Sequence, residues 1–167
     1  MRPPRASLTE ELLWLRGRQL DEAPLSEIDA YDRAAAAAAE AGVPANALSV
    51  GAPAPDLRAI GTVPVVLIWY HSRSSPFCRA VLARAAEYAA AGRVVFMASC
   101  TIAEPFGVCY EPPAEYRALL SIEQRRIALA ATYVIGADGR IAYAHLHPDP
   151  RFRADPAEVI RARAEGV

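Results

Sequence analysis

Residues 64–78 read PVVLIWYHSRSSPFC, an unbroken apolar run that gives way to a polar turn and then to the helix-like stretch RAVLARAAEYAAAG from Arg79 onward. A continuous run of this kind is what a strand buried on both faces requires, because neither side of its pleat meets water. Ser75 followed by Pro76 has the chemistry of a helix start. The hydroxyl accepts an orphan amide hydrogen, and proline loses nothing at the first helical position. Cys78 follows one turn later, roughly on the same face. In open α/β sheets, sites gather where a parallel strand ends and a helix begins, and this stretch is such a place.

Working outward, RVVFMAS (93–99) reads as a second buried strand. With a helix over 76–91 between them, the two strands form a βαβ unit and are expected to run parallel. PAEYRALLSIE (113–123) reads as a shorter helix. TYVIG and RIAYAHL flank ADG, a turn signal that predicts an antiparallel hairpin. Asp155 before Pro156 opens a last helix, PAEVIRARAE. Toward the N-terminus, Ser7 and Glu10 have capping-box spacing before ELLWLRGRQL, with Leu12, Leu13 and Leu15 supplying apolar contacts. A second helix runs from about Ser26 to Gly42, and its alanine run is strong helix propensity. Residues 64–165 therefore read β-α-β-α-β-β-α. The fold class expected is α/β, a thioredoxin-like three-layer sandwich with a mixed central sheet, with 1–46 as an N-terminal helical extension and 47–167 as the domain proper.

A chain of 167 residues fits one compact core without metal or disulfide staples. A formal net charge of −1 gives no reason to expect nucleic acid or an anionic membrane surface as partner, since both call for a basic face. Small molecules or proteins are the expected partners. All 18 basic residues are arginine, which removes Schiff-base chemistry by an internal lysine. The opening MRPPRASLTE lacks an apolar leader segment, and no apolar run approaches the roughly 20 residues of a membrane span. The chain is expected to be soluble and cytoplasmic. Three cysteines, an odd number in a chain with no export signal, do not suggest a disulfide framework and read as free thiols, a transient redox pair or buried small hydrophobes. There is no Gly-rich phosphate loop, no GxSxG elbow and no metal-type CxxC pair, and no cofactor is expected.

The candidate residues each carry two readings. Ser75 either caps its helix or also holds a substrate thiolate or oxyanion at the positive end of the dipole. Cys78 is either a small buried hydrophobe or a nucleophile activated by Arg73 and Arg79. Cys100 ends the second strand and Cys109 lies in the FGVCYE segment. Both are expected near the edge where the Ser75 helix starts, and Cys78 with Cys100 is the first pair to test, requiring Cα atoms within about 7 Å. His71, directly after the first strand, is either a proton carrier near pH 7 or a surface residue. His145, His147 and Asp149 have the donor types of a metal facial triad, but their alternation is also plain strand geometry, and no metal is expected.

The chain resembles the peroxiredoxin-like proteins of the alkyl hydroperoxide reductase and thiol-specific antioxidant group. ALSVGAPAPDL resembles their "VG-x-x-APDF", PVVLIWYHSRSSPFC their "PVVL-x-FYRG-x-WCPYC", FGVCYEPPAEYRALL their "FGL-x-Y-x-LPEELR", and ATYVIGADGRIAYAHLHPD their "ATFVIDRDG-x-I-x-FAHVDPD". The similarity runs from about Ala47 to the C-terminus. It implies a thioredoxin-like fold, a thiol or other small-molecule substrate, and a homodimer. In that family the peroxide-attacking thiol matches Ser75 and a second cysteine matches Cys78, so here only the second is kept. His71 matches a family arginine, and Arg125 and Arg126, just before the penultimate core strand, are either a solvated cap or replacements for the missing active-site arginine. Ala130 stands where a cis-proline or an arginine is usual, just before the Ala131-Thr132 pair, and Thr132 joins His71, Arg73, Arg126 and Cys109 as candidate substrate-binding residues. The expectation is an atypical thiol oxidoreductase that uses Cys78 with Ser75 and Cys100, and not a conventional peroxidase. The alternatives are a pocket turned to other small-molecule chemistry, or a catalytically silent binding protein.

Overall fold

The computed structural model describes residues 7–165. Met1–Ala6, on which the expected lack of a leader segment partly rests, and Gly166–Val167 lie outside the described residues.

Two helices come first, α1 (Leu8–Glu22) and α2 (Leu25–Glu40), followed by a single turn, α3 (Val43–Asn46). The start of α1 is the capping box its sequence predicts. Ser7 Oγ accepts from the Glu10 amide at 3.2 Å, and Glu10 Oε2 accepts from the Ser7 amide at 2.8 Å. Leu8 and Leu12 are buried, but Leu13 is 57% exposed, because it lies about 100° around the helix from Leu12. On α2 the buried face is Ala30, Tyr31, Ala34 and Ala38, a helical stripe in which three small alanines flank one large aromatic ring.

Next come β1 (Val65–Trp69), α4 (Pro76–Leu82), α5 (Ala85–Tyr88) and β2 (Val94–Met97). The single helix expected over 76–91 is thus two helices and a 3-10 turn. The break falls at Ala83-Arg84, where the Arg84 guanidinium pairs with Glu11 of α1 and with Glu87 at 2.8 and 2.7 Å. After β2 follow α6 (Cys100–Ala103), β3 (Cys109–Tyr110), α7 (Ala114–Leu119), β4 (Ile127–Ala128), β5 (Thr132–Ile135), β6 (Ile141–His145) and α8 (Pro156–Glu165). α7 is shorter than the helix expected over 113–123, and Ser121 just beyond it has a left-handed φ of 53°. At the head of α8, Asp155 Oδ1 accepts from the Ala157 amide at 3.0 Å, the cap its sequence predicts.

The main sheet has four strands in the order β2-β1-β5-β6. β1 and β2 run parallel, with Val66 opposite Val94 and Trp69 opposite Met97. β1 and β5 run antiparallel, as do β5 and β6, whose hairpin carries an irregularity at Val134/Ile135. This is a mixed α/β fold around a mixed sheet. β3 and β4 form a separate two-stranded antiparallel pair that the sequence did not announce. β1 is buried along its whole length, as an apolar run without alternation demands. Leu8, Leu12, Tyr31, Ala34 and Ala38 of the first two helices belong to the same apolar core as β1 and β5, with α1 packed on α4 and α2 on α7. Among the described residues, no helix is long and apolar enough to cross a membrane.

Candidate functional site

The site is built where β1 ends. Past Trp69 the chain turns through Ser72, whose Oγ donates to the Leu120 carbonyl at 2.7 Å, and enters α4. Ser75 Oγ accepts from the Cys78 amide at 3.4 Å while Pro76 takes the first helical position, so Ser75 is the N-cap. Its oxygen also lies 3.0 Å from the Tyr31 hydroxyl of α2. Ser75 is 1% exposed. The serine-headed turn therefore does not face an open hollow, because α2 lies over it. Burial pushes the Tyr31 hydroxyl up to about 12, so at neutral pH this contact is between two neutral hydroxyls.

Cys78 is the free thiol and is buried. Its partner is Arg153, from the segment between β6 and α8. Arg153 Nη2 donates to Cys78 Sγ at 3.2 Å and Nη1 to the Trp69 carbonyl at 3.3 Å. Arg153 is 7% exposed, its Nε has no hydrogen-bond partner, and among the described residues no carboxylate pairs with it. A guanidinium out of water without a counter-charge is costly. Arg151, two residues earlier, shows the ordinary solution. Its Nε and Nη2 donate to Asp149 at 2.9 and 2.8 Å, and Nη2 also reaches Asp32 of α2.

His71 is buried and its ring is fully committed. Nε2 lies 2.9 Å from the Ala128 carbonyl and Nδ1 lies 2.7 Å from the Tyr116 hydroxyl. A carbonyl can only accept, so Nε2 carries the proton and Nδ1 accepts from Tyr116. Burial, helped by the nearby Arg153 charge, pushes His71 down to about 3. The expected proton carrier near pH 7 is thus a neutral brace between β1, β4 and α7. Tyr110, 6.5 Å from the His71 ring, has a buried hydroxyl without a partner, and burial raises it above the ordinary tyrosine range.

The sulfurs pair differently from the expectation. Cys100 and Cys109 form a disulfide with Cα atoms 6.1 Å apart, so Cys100 is not the partner of Cys78. The bridge joins the start of α6, just past the C-terminal end of β2, to β3. Both residues are half-buried. The donor atoms of Cys100, Glu104 and Cys109 lie within 4.8 Å of one another, but in this state the sulfurs are bonded to each other and Glu104 is paired with Arg126 at 2.8 Å. The His145, His147 and Asp149 donors are also engaged or apart. His147 Nδ1 accepts from the Asp149 amide at 3.0 Å, and both Asp149 oxygens accept from Arg151.

The remaining candidates scatter. Arg73 is exposed, and its carbonyl accepts from Arg79 at 3.1 Å. Neither arginine reaches Cys78. Arg126 and Arg125 pair with the surface carboxylates Glu104 and Glu111. Thr132 is buried in β5 opposite Ile68 and His145. Sequence reasoning missed Arg153, Tyr31 and Tyr116. The signal for the first was legible in PRFRADP (150–156), where arginines at alternate positions run directly into a helix cap. Neither the protein-family models nor the curated proteins compared with this chain match it.

Proposed function

We propose that the chain is an atypical, peroxiredoxin-like thiol oxidoreductase on a thioredoxin-like fold, and that its exchanging sulfurs are Cys100 and Cys109. The observation that carries this reading is the half-buried disulfide just past the C-terminal end of β2, the sheet edge at which α/β proteins keep their sites. Two further observations support it. The strand order β2-β1-β5-β6, with a parallel pair followed by two antiparallel strands, is compatible with a thioredoxin-like sheet, and four stretches from Ala47 onward resemble peroxiredoxin-like sequence in order. The substrate class is a small thiol. A substrate thiolate attacks one sulfur, the S–S bond breaks and the other cysteine leaves as thiolate. A second substrate thiolate then attacks the mixed disulfide, releasing the substrate disulfide and leaving two electrons on the Cys100/Cys109 pair.

The test is equilibration of the folded protein in glutathione buffers of graded potential, followed by acid quench, unfolding and alkylation. Since Cys78 is the one free thiol and the other two cysteines are bridged, the mass should step from one alkyl group to three in a single two-electron transition. Cys100→Ser or Cys109→Ser should each trap a mixed disulfide with glutathione. An unchanged thiol count across the range, with no trapped species, overturns the reading.

A second reading places the reaction at Cys78. It is favoured by the Arg153 contact, since reactive cysteines occupy electropositive surroundings. It requires α2 to lift from Ser75. Alkylation of Cys78 in the native protein, ahead of the reduced Cys100 and Cys109, would move the chemistry there.

A further inference from the structure

We infer that Cys100, Cys109 and Glu104 form a zinc site when the bridge between the two cysteines is reduced, so that the disulfide is the closed state of a redox-gated metal centre. The inference needs the bridge to be reducible but not to turn over a thiol substrate, so it can fail while the redox reading stands. One ligand atom from each of the three residues already lies within 4.8 Å of the other two. The cause is local geometry. Glu104 follows Cys100 by four positions, where α6 runs on into a 3-10 turn, and residues so spaced share one helical face. Cys109 reaches that face from β3, where it pairs opposite Ala128 of β4. Glu104 is exposed and Cys100 half-buried, so a hydrated ion can arrive without any helix parting from its neighbours.

The donor set selects the ion. Thiolates favour zinc over magnesium and calcium, which take oxygen shells, and three protein ligands leave the fourth tetrahedral position to water. A small thiol or a phosphine supplies two electrons to the S–S bond and is itself oxidised, to its disulfide or its oxide. The two sulfurs become thiols, and Zn²⁺ then displaces their protons to water without changing its own oxidation state. With Cα atoms 6.1 Å apart, rotation about the side-chain bonds can part the sulfurs to roughly 3.8 Å, the tetrahedral edge set by zinc–sulfur bonds of about 2.3 Å. The charges also balance. Two thiolates and the Glu104 carboxylate exceed the charge of Zn²⁺ by one negative unit, and Arg126, which pairs with Glu104 Oε1 at 2.8 Å, answers it. Glu104 Oε2 accepts no hydrogen bond among the described residues. The carboxylate can therefore give one oxygen to the metal and keep the other on the guanidinium, the kind of outer contact that orients a metal ligand.

For the test, the intact chain is reduced with a phosphine, freed of it by anaerobic gel filtration and titrated with Zn²⁺ against a chromophoric chelator, with Co²⁺ as spectroscopic probe and Mg²⁺ in a separate arm. The reduced parent should keep its far-ultraviolet dichroism, bind one Zn²⁺ per chain in the micromolar range or tighter, and give with Co²⁺ the sulfur charge-transfer absorption of a thiolate-bound ion. Mg²⁺ should not compete. The oxidised parent, and the Cys100→Ser/Cys109→Ser variant, which keeps Cys78, should each bind at least about 100-fold more weakly. Glu104→Gln, made at an exposed position, should weaken binding about 10-fold. Loss of the dichroism on reduction, zinc binding as tight in the oxidised parent or the double variant, undiminished binding in Glu104→Gln, or equal competition by Mg²⁺ would each overturn the inference. Thiols that appear in phosphine without zinc uptake would overturn it and leave exchange at the bridge intact. Zinc uptake after phosphine, by a chain whose bridge does not equilibrate with glutathione, would support it and remove the redox reading.

Discussion

Cys78 Sγ and Arg153 Nη2 meet at 3.2 Å although 75 positions separate them in the chain. The sulfur is the one side-chain acceptor that the Arg153 guanidinium has among the described residues. Removing it should therefore cost more than the small volume change implies. Cys78→Ala is expected to lower unfolding free energy by about 2–3 kcal/mol, because a charged donor loses its acceptor in the interior. Cys78→Ser, which keeps an acceptor in place, should lose less. Urea unfolding of the two variants checks this, and equal losses would mean that the contact contributes nothing beyond packing.

Ser75 holds two hydrogen bonds through one oxygen, to the Cys78 amide and the Tyr31 hydroxyl. Ser75→Ala should cost about 1–2 kcal/mol, combining a lost cap with a buried hydroxyl left without its partner. Tyr31→Phe should cost about 1 kcal/mol. The double variant should fall short of the sum by roughly 0.5–1.5 kcal/mol if the two hydroxyls are coupled. Additivity would show that they are not.

The His71 brace predicts a pH dependence with a definite sign. Its folded-state value is pushed down to about 3, against about 6.5 for an unfolded histidine, so between those values the unfolded chain binds the extra proton. The contribution is fully present above about pH 6.5 and is lost as pH falls toward 3, amounting to about 2 kcal/mol already at pH 5. Burial lowers His145 as well, which adds to the trend in the same direction. Urea midpoints from pH 7.5 to 4.5 should fall, and less steeply in His71→Gln. An unchanged slope in that variant would remove His71 from the account.

The bridge between Cys100 and Cys109 encloses a sequence separation of 9, and closing so short a loop restricts the unfolded chain by about 2–3 kcal/mol. Reductant should lower the thermal midpoint of the parent by roughly 5–10 °C and leave that of the Cys100→Ser/Cys109→Ser double variant unchanged. A shift that survives in the double variant would have to come from elsewhere.

Much of the fold was legible because its main signals are local. PVVLIWY admits little besides a strand covered on both faces, Ser7 with Glu10 and Asp155 with Pro156 are caps written into a few residues, and ADG between two apolar runs is a turn. What escaped was non-local. The helix over 76–91 gives way at Ala83-Arg84, where Arg84 meets Glu11, 73 residues away, and no pattern within the helix reports that contact. β3 and β4 are two residues long, too short for alternation to register. At the site, Ser75 and Cys78 were singled out by spacing, but the groups that define their surroundings, Tyr31 and Arg153, lie 44 and 75 positions away. Nearness in sequence points to Arg73, and the family resemblance to Arg126. Both are surface residues.

Thr9 gives both its amide and its hydroxyl hydrogen to Asp155 Oδ2, so the first turn of the leading helix is fastened to the residue that heads the trailing one. The two extremities of the described chain are thereby buttoned together. Asp155 heads the final helix through its other oxygen, so one carboxylate serves both helices, and Asp155→Ala should speed amide exchange at the first turns of both. The helix that packs on α4, which carries the buried thiol, is held from the far end of the polypeptide.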